Sequence, residues 1–234
     1  MIAVNNLSIG YHSSILSIDE MLLKAGEMYF LIGRNGSGKS TFLKTISAQI
    51  PPVSGSLKLN EIEINSIPTN EIPKYISFVG AHFPAVDFLK VEDYIALARS
   101  PYSNYFGKLS KKDIEIIQKS IEILGIESLK NRFTSELSDG EKQMVAIAKS
   151  IAQETEVILL DEPTAFLDYA NKKLVIEALS KICSELNKCI ILSSHDIDLS
   201  LESKGNYLIV DAQKKTISLH NNGLDKIELL KIAF

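Results

Sequence analysis

Apolar and polar positions alternate at short intervals over the first part of the chain. Ile2, Val4, Leu7 and Ile9 form one run, and Ile15, Leu16, Ile18, Met21, Leu22 and Leu23 form the next. Such spacing predicts short antiparallel strands, because a half-buried strand repeats every second residue. Met28-Tyr29-Phe30-Leu31-Ile32 is apolar throughout, as expected of a buried strand. From Ser40 to Ile50 the period becomes helical, with Phe42, Leu43, Ile46 and Ile50 on one face. Pro51-Pro52-Val53-Ser54-Gly55 breaks that helix, and Ser56-Leu57-Lys58-Leu59 resumes a strand-like alternation.

Between Pro84 and roughly Ile151 helical periods dominate. Val91, Tyr94, Ile95, Leu97 and Ala98 define one helix. Ile114, Ile117, Ile121 and Leu124 define another, which starts after Ser110 with Asp113 in its first turn. Ser138 and Glu141 have the spacing of a capping box, and Met144, Val145, Ala148 and Ile151 carry the helix onward. Two more apolar blocks, Val157–Leu160 and Cys189–Leu192, read as buried strands, each delivering polar residues at its end: Asp161-Glu162 in one case and Ser193-Ser194-His195-Asp196 in the other. Tyr207 to Val210 and Thr216 to His220 are β-like, and a polar helix follows.

Composition bounds the scale. With 234 residues and 45% hydrophobic content the chain can bury one sizeable core, with room for an attached subdomain. Lys and Arg total 25 against 29 acidic residues, and the basic ones cluster only in pairs such as Lys111-Lys112, Lys172-Lys173 and Lys214-Lys215. Such pairs are expected to be solvated, and no stripe suits a nucleic acid. Cys183 and Cys189 are too few for a disulfide framework or a zinc site and read as reduced thiols of a cytosolic protein. The first residues lack a signal peptide's features, and no apolar run is long enough to span a bilayer. Work at a membrane would require another component to hold the chain there.

The candidate chemistry centres on Gly33-Arg34-Asn35-Gly36-Ser37-Gly38-Lys39-Ser40-Thr41, which fits G-x-x-x-x-G-K-[ST]. In that loop backbone N–H groups surround phosphate oxygens while the lysine and the hydroxyl reach the terminal phosphates and Mg²⁺. The order strand, glycine loop, helix aims orphan N–H groups and a positive helix end at an anion. In a glycine-loop nucleotidase, Asp161 would bind Mg²⁺ and Glu162 would orient or deprotonate the attacking water. His195, just past a strand end, could donate to the γ-phosphate, although a lone histidine is more often structural. Tyr11 follows Gly10 and could stack on a nucleotide base or be an ordinary turn residue. The Ser138 box could equally be a plain helix start.

Taken together, the order of these stretches resembles the ATP-binding subunit of an ABC transporter over nearly the whole chain. Gly33 to Thr41 resembles its Walker A loop, Leu137 to Gln143 (LSDGEKQ) the ABC signature, and Val157 to Pro163 the Walker B strand. Thr164 to Asp168 resembles the D-loop, and Ser193-Ser194-His195-Asp196 the switch-histidine segment. The resemblance implies an α/β fold: a P-loop NTPase (RecA-like) core with an N-terminal antiparallel β subdomain and an inserted helical subdomain. Residues 1–83 and 152–234 would be the nucleotide-binding core with the β subdomain, and 84–151 the helical signature subdomain. Lys39 would hold the β- and γ-phosphates, Ser40 and Asp161 would ligate Mg²⁺, Glu162 would be the catalytic base, His195 the γ-phosphate sensor and Tyr11 the adenine-stacking aromatic. Ser138 and Gly140 of one copy would cover the ATP of the other in a homodimer, and Asp168 would help couple the two sites.

The resemblance further implies two membrane permease subunits, a substrate-binding protein acting indirectly, and a place on the inner, cytoplasmic face of the cell membrane. Two positions depart from the pattern. The family places a glutamine after the strand Ile76-Ser77-Phe78-Val79, where this chain has Gly80-Ala81-His82; Asp139 stands where the signature has glycine. His82 is the nearest polar candidate, but an imidazole is a poor ligand for hard Mg²⁺. The LSDGE form, with Ser100 to Gly107, looks most like importers of iron complexes: siderophores, haem and the related cobalamin systems. Other readings are a soluble ABC-type ATPase acting in assembly or scaffolding, and a module that binds nucleotide without hydrolysing it.

Overall fold

The computed structural model describes residues 1–83, 86–103, 107–165, 167–203 and 205–233. The strands are β1 (Ile2–Gly10), β2 (Ser14–Leu23), β3 (Met28–Ile32), β4 (Ser54–Leu59), β5 (Ile62–Glu63), β6 (Ile76–Val79), β7 (Val157–Leu160), β8 (Cys189–Ser194), β9 (Asn206–Asp211) and β10 (Thr216–His220). They form one sheet in the order β5-β4-β1-β2-β10-β9-β3-β8-β7-β6. The half that holds β1, β2 and β4 is antiparallel, with Ile2 opposite both Leu23 and Leu59, as the alternation predicts. The other half, β9-β3-β8-β7-β6, is parallel.

That parallel half explains why its strands are apolar without alternation. Met28, Phe30 and Ile32 face one hydrophobic cluster while Tyr29 and Leu31 face a second, and β7 and β8 divide their side chains in the same way. Strands covered on both faces gain burial from every residue, at about 1.5–3 kcal/mol for each large apolar side chain. One cluster is closed by helices α2 (Val91–Ala96), α3 (Lys111–Ile123), α4 (Asp139–Ala152) and α5 (Tyr169–Glu185). The other is closed by α1 (Lys39–Ile46) and the antiparallel strands.

Several expectations shift. Helix α1 ends at Ile46 rather than near Ile50, because Ala48 turns left-handed at φ +57 before the prolines are reached. Leu97 and Ile114, expected on buried helix faces, are exposed; Leu97 lies in a 3₁₀ turn, Leu97–Tyr102, where the helical period has changed. Helices α5 and α6 (Ile197–Glu202) were not among the expected elements, although Val175, Ile176, Leu179, Ile182 and Cys183 are buried at helical spacing. The terminal α7 (Lys226–Ala233) is less polar in role than expected, since Leu229 and Ala233 are buried. Lys172, expected to be solvated, pairs with Asp196 at 3.0 Å and ties α5 to the start of α6. Both cysteines are free and buried, and burial raises their thiol pKa values, Cys183 to about 11 and Cys189 to about 12.

The helical stretch is fastened to the sheet by polar contacts as well as by the core. Gln153 Nε2 donates to the carbonyls of Pro73 (2.7 Å) and Ile76 (3.2 Å). Arg99, almost fully buried, donates to Asp113 Oδ1 (2.8 Å), Ala152 O (2.8 Å) and Glu154 (3.0 Å). Among the described residues no helix is long and apolar enough to cross a membrane.

Candidate functional site

Strand register decides which residues meet. Ile32 pairs with Ser194, Leu160 with Leu192 and Val79 with Leu160, so β3, β8, β7 and β6 run abreast and end at one edge. The residues leaving those tips are Gly33, His195, Asp161 and Gly80. Groups far apart in sequence therefore gather at the C-terminal edge of a parallel sheet, where open α/β sheets bind ligands.

None of the three glycines of the loop can be replaced without strain, Gly36 because of its φ of +73. A Cβ on Gly33 would lie 2.8 Å from Val210 Cβ and 3.0 Å from Ser37 Oγ, so the chain leaves β3 pressed against β9. Gly38 has φ +104 and faces Leu16 and Ile15 of β2. That contact sets the start of β2 against the loop. It also brings near it the β1–β2 turn, where Tyr11 is exposed. Asn35, Gly36 and Ser40 are exposed, whereas Thr41 is buried in the first turn of α1.

The start of α1 is uncapped by any side chain, with Gly38 in the cap position. By contrast Ser110, Ser138, Asp168 and Asp196 each accept a backbone N–H at the starts of α3, α4, α5 and α6. Orphan amides at α1 are thus left for an outside anion. Ser37 Oγ is enclosed yet has no hydrogen-bond partner, and a buried hydroxyl in that condition is costly unless a ligand completes it. Lys39 is buried and its ammonium donates to Gly33 O (2.9 Å) and Arg34 O (3.1 Å). Burial holds its pKa below the usual value, and the nearby Glu162 and Asp161 carboxylates pull it part of the way back. A cation held inside the loop beside two acids fits a triphosphate. The hydroxyl of Ser40 and the carboxylate of Asp161 offer the oxygen donors that Mg²⁺ selects.

The acids are fixed from β8. Ser193 Oγ donates to Asp161 Oδ1 (2.8 Å) and accepts the N–H of Glu162 (2.7 Å). His195 Nε2 lies 2.6 Å from Glu162 Oε1. Glu162 has φ +52, an unusual backbone conformation for a residue with a side chain and one that recurs at active sites. Ser193 was not among the expected site residues; its signal was a hydroxyl interrupting an apolar strand at its last positions.

The remaining expected residues lie elsewhere. Ser138 and Glu141 form a reciprocal capping box, Glu141 N–H to Ser138 Oγ at 3.3 Å and Ser138 N–H to Glu141 Oε2 at 2.7 Å. The Ser138 amide is therefore engaged within its own helix, and its hydroxyl proton is what it can still donate. Gly140 packs against the Asn171 side chain, where a Cβ would sit 3.3 Å away. Asp168 caps α5 through Asn171 N–H (2.8 Å); Phe166, within the same expected D-loop, lies outside the described residues. His82 is exposed and lines a cavity of about 320 Å³ with Gly80, Phe83, Tyr94, Gln143 and Lys149. Of the stretch Ser100 to Gly107, Asn104, Tyr105 and Phe106 lie outside the described residues, as do Pro84 and Ala85 near the start of the helical stretch.

A glycine loop at an open helix end, facing two carboxylates and an imidazole on neighbouring strand tips, defines a glycine-loop nucleoside triphosphatase. Residues 16–165 match the ABC transporter family, and the chain belongs to it as an ATPase that binds ATP. It is 34% identical over 215 residues to the ABC transporter ATP-binding protein MJ0873 of Methanocaldococcus jannaschii, covering 92% of this chain and 74% of that protein. It is 30% identical to the iron(3+)-hydroxamate import ATP-binding protein FhuC of Bacillus subtilis, covering 100% of this chain and 87% of that protein. Among solved structures, CbiO1 from Clostridium perfringens, part of the ABC transporter complex CbiONQ, superposes with a TM-score of 0.83 at 28% identity, covering 94% of this chain and 88% of that one.

Proposed function

We propose that this chain is the ATP-hydrolysing subunit of an importer for an iron complex of the siderophore, haem or cobalamin kind. Support for the importer comes from the full-length similarity to an iron(3+)-hydroxamate import protein and from the LSDGE form of the signature. The observation that carries the hydrolytic reading is the convergence of Lys39, Asp161, Glu162 and His195 at one edge of the sheet.

In this reading the loop amides and Lys39 bind the β- and γ-phosphates, with Gly33, Asn35, Gly36, Ser37, Gly38 and Thr41 shaping the cradle and Tyr11 stacking on the adenine. Ser40 and Asp161 hold Mg²⁺, which when bound supplies charge neutralisation at the phosphates. Glu162 takes the proton from the attacking water, and His195 holds the Glu162 carboxylate in line until the γ-phosphate is present to accept a bond from its ring. Positioning and charge neutralisation contribute most of the rate. Two copies close on two nucleotides, with the Ser138 hydroxyl and Gly140 of one facing the phosphate held by the other and Asp168 near the partner's site. Residues 84–151 act as the helical subdomain that passes this closure to two permease subunits through the surface around His82. The chain then works on the cytoplasmic face of the membrane, and a binding protein delivers the cargo.

Replacing Glu162 with Gln keeps the size and removes the base. ATP turnover in the assembled complex should fall about 10²–10⁴-fold, the usual contribution of a positioned base, while ATP still binds. Turnover near the wild-type rate would remove Glu162 from the chemistry.

A further inference from the structure

Ser193 is fully buried at the penultimate position of β8, and the register that pairs Leu192 with Leu160 sets it abreast of Asp161. Its one proton goes to Asp161 Oδ1 and its lone pair receives the Glu162 N–H. A single hydroxyl therefore ties down both members of the acid pair. We propose that Ser193 is a positioning residue for hydrolysis: its hydroxyl holds the Asp161 carboxylate aimed at the phosphate loop and stabilises the unusual backbone that turns Glu162 toward His195.

A carboxylate with one oxygen engaged by a buried hydroxyl loses rotational freedom, so its other oxygen is presented in a fixed direction. A hydrogen bond to a charged group is among the stronger ones in a protein. Glu162, at φ +52, needs its environment to hold it there, and the N–H bond to Ser193 supplies a specific anchor. No neighbour in the β8 sequence could substitute: successive strand residues point to opposite faces, so Ser194 is turned away from the side Ser193 occupies and receives the Asp196 N–H at 3.0 Å, and Leu192 carries no polar group.

This inference rests on the roles proposed above for Asp161 and Glu162, so its test has to separate the two. Ser193→Ala and Ser193→Thr are compared with wild type by kcat and KM for ATP, by melting temperature, and by titration with a fluorescent N-methylanthraniloyl ATP with and without Mg²⁺. Ser193→Ala is expected to lose roughly tenfold to a hundredfold in kcat, the size of one hydrogen bond to a charged group. The gain in nucleotide affinity on adding Mg²⁺ should shrink by roughly the same factor. Metal-free affinity should stay at the wild-type value although the melting temperature falls, because the Glu162 N–H and Asp161 Oδ1 each lose a buried partner; Ser193→Thr, which keeps the hydroxyl, should recover most of the losses in kcat and in Mg²⁺ response. The proposal is overturned if Ser193→Ala keeps its kcat and its Mg²⁺ response, if metal-free binding falls by the same factor as binding with Mg²⁺, or if Thr behaves as Ala. Glu162→Gln is assayed alongside. Wild-type turnover in that variant would defeat the base assignment, while the Mg²⁺ response of Ser193→Ala, which does not pass through Glu162, would still judge Ser193.

Discussion

At Gly38 the backbone sits at φ +104, and a Cβ would come within 2.6 Å of Leu16 Cδ1. Both problems arise at once in Gly38→Ala: a conformation that L residues rarely adopt, and a displaced β2 side chain. The strained backbone alone costs on the order of 1–3 kcal/mol. Gly38→Ala should therefore lower the melting temperature and weaken nucleotide binding at least tenfold by fluorescence titration, whereas unchanged binding would mean that the loop can reshape. The residues at this scale were unevenly legible. Lys39 was legible from the glycine-loop pattern, and Asp161, Glu162 and His195 because each follows an apolar strand with a polar group; the structure gathers the four at one edge of the sheet. Ser193 was named only as part of the switch-histidine stretch, because a serine at a strand end marks a polar tip while its partners depend on strand register.

At the scale of elements, caps were the most readable feature. The box at Ser138–Glu141 forms as its spacing predicts, and the helix expected after Ser110 starts with a second box, Ser110–Asp113. The box at Ser110 does more than start α3. Hydrogen bonds from the Ser110 side chain and backbone, and then from Arg99, hold the Asp113 carboxyl down at about 2. Asp113→Ala leaves the buried Arg99 guanidinium without that partner and should cost about 3–5 kcal/mol in urea unfolding; a loss below about 1 kcal/mol would show that Glu154 compensates. The pH dependence has a definite sign. With a folded pKa below the ordinary 3.8, the stabilisation is fully present above that value and is lost as pH falls through about 2. The wild-type protein should lose stability over that window by more than the variant does. Arg99 itself was not anticipated, since a single arginine in a helical stretch looks like a surface residue until the 3₁₀ turn carries it inward.

At the scale of the whole molecule the open question is what faces the signature. Ser138 is exposed and Gly140 half-buried at the tip of α4, and the proposed function sets them against a second copy. Glu162→Gln incubated with Mg·ATP should then shift by light scattering from the 25.9 kDa of one chain to twice that mass, and Ser138→Arg in that background should restore the monomer. A purely monomeric Glu162→Gln protein at micromolar concentration with saturating ATP would count against the two-copy site.

The amino-acid sequence alone determined the glycine loop, the helix starts and the apolar blocks, because each is set by local rules: φ angles only glycine adopts freely, amides that need capping, and the repeat of two or 3.6 residues. Strand order was decided only by the tertiary structure. Nothing local says that β3 runs between β8 and β9, or that β10 joins the parallel half to the antiparallel one. Those pairings depend on which apolar faces best bury one another across many intervening residues, and they bring Ser193 to the Asp161 carboxylate and the Glu162 backbone N–H, more than thirty positions earlier.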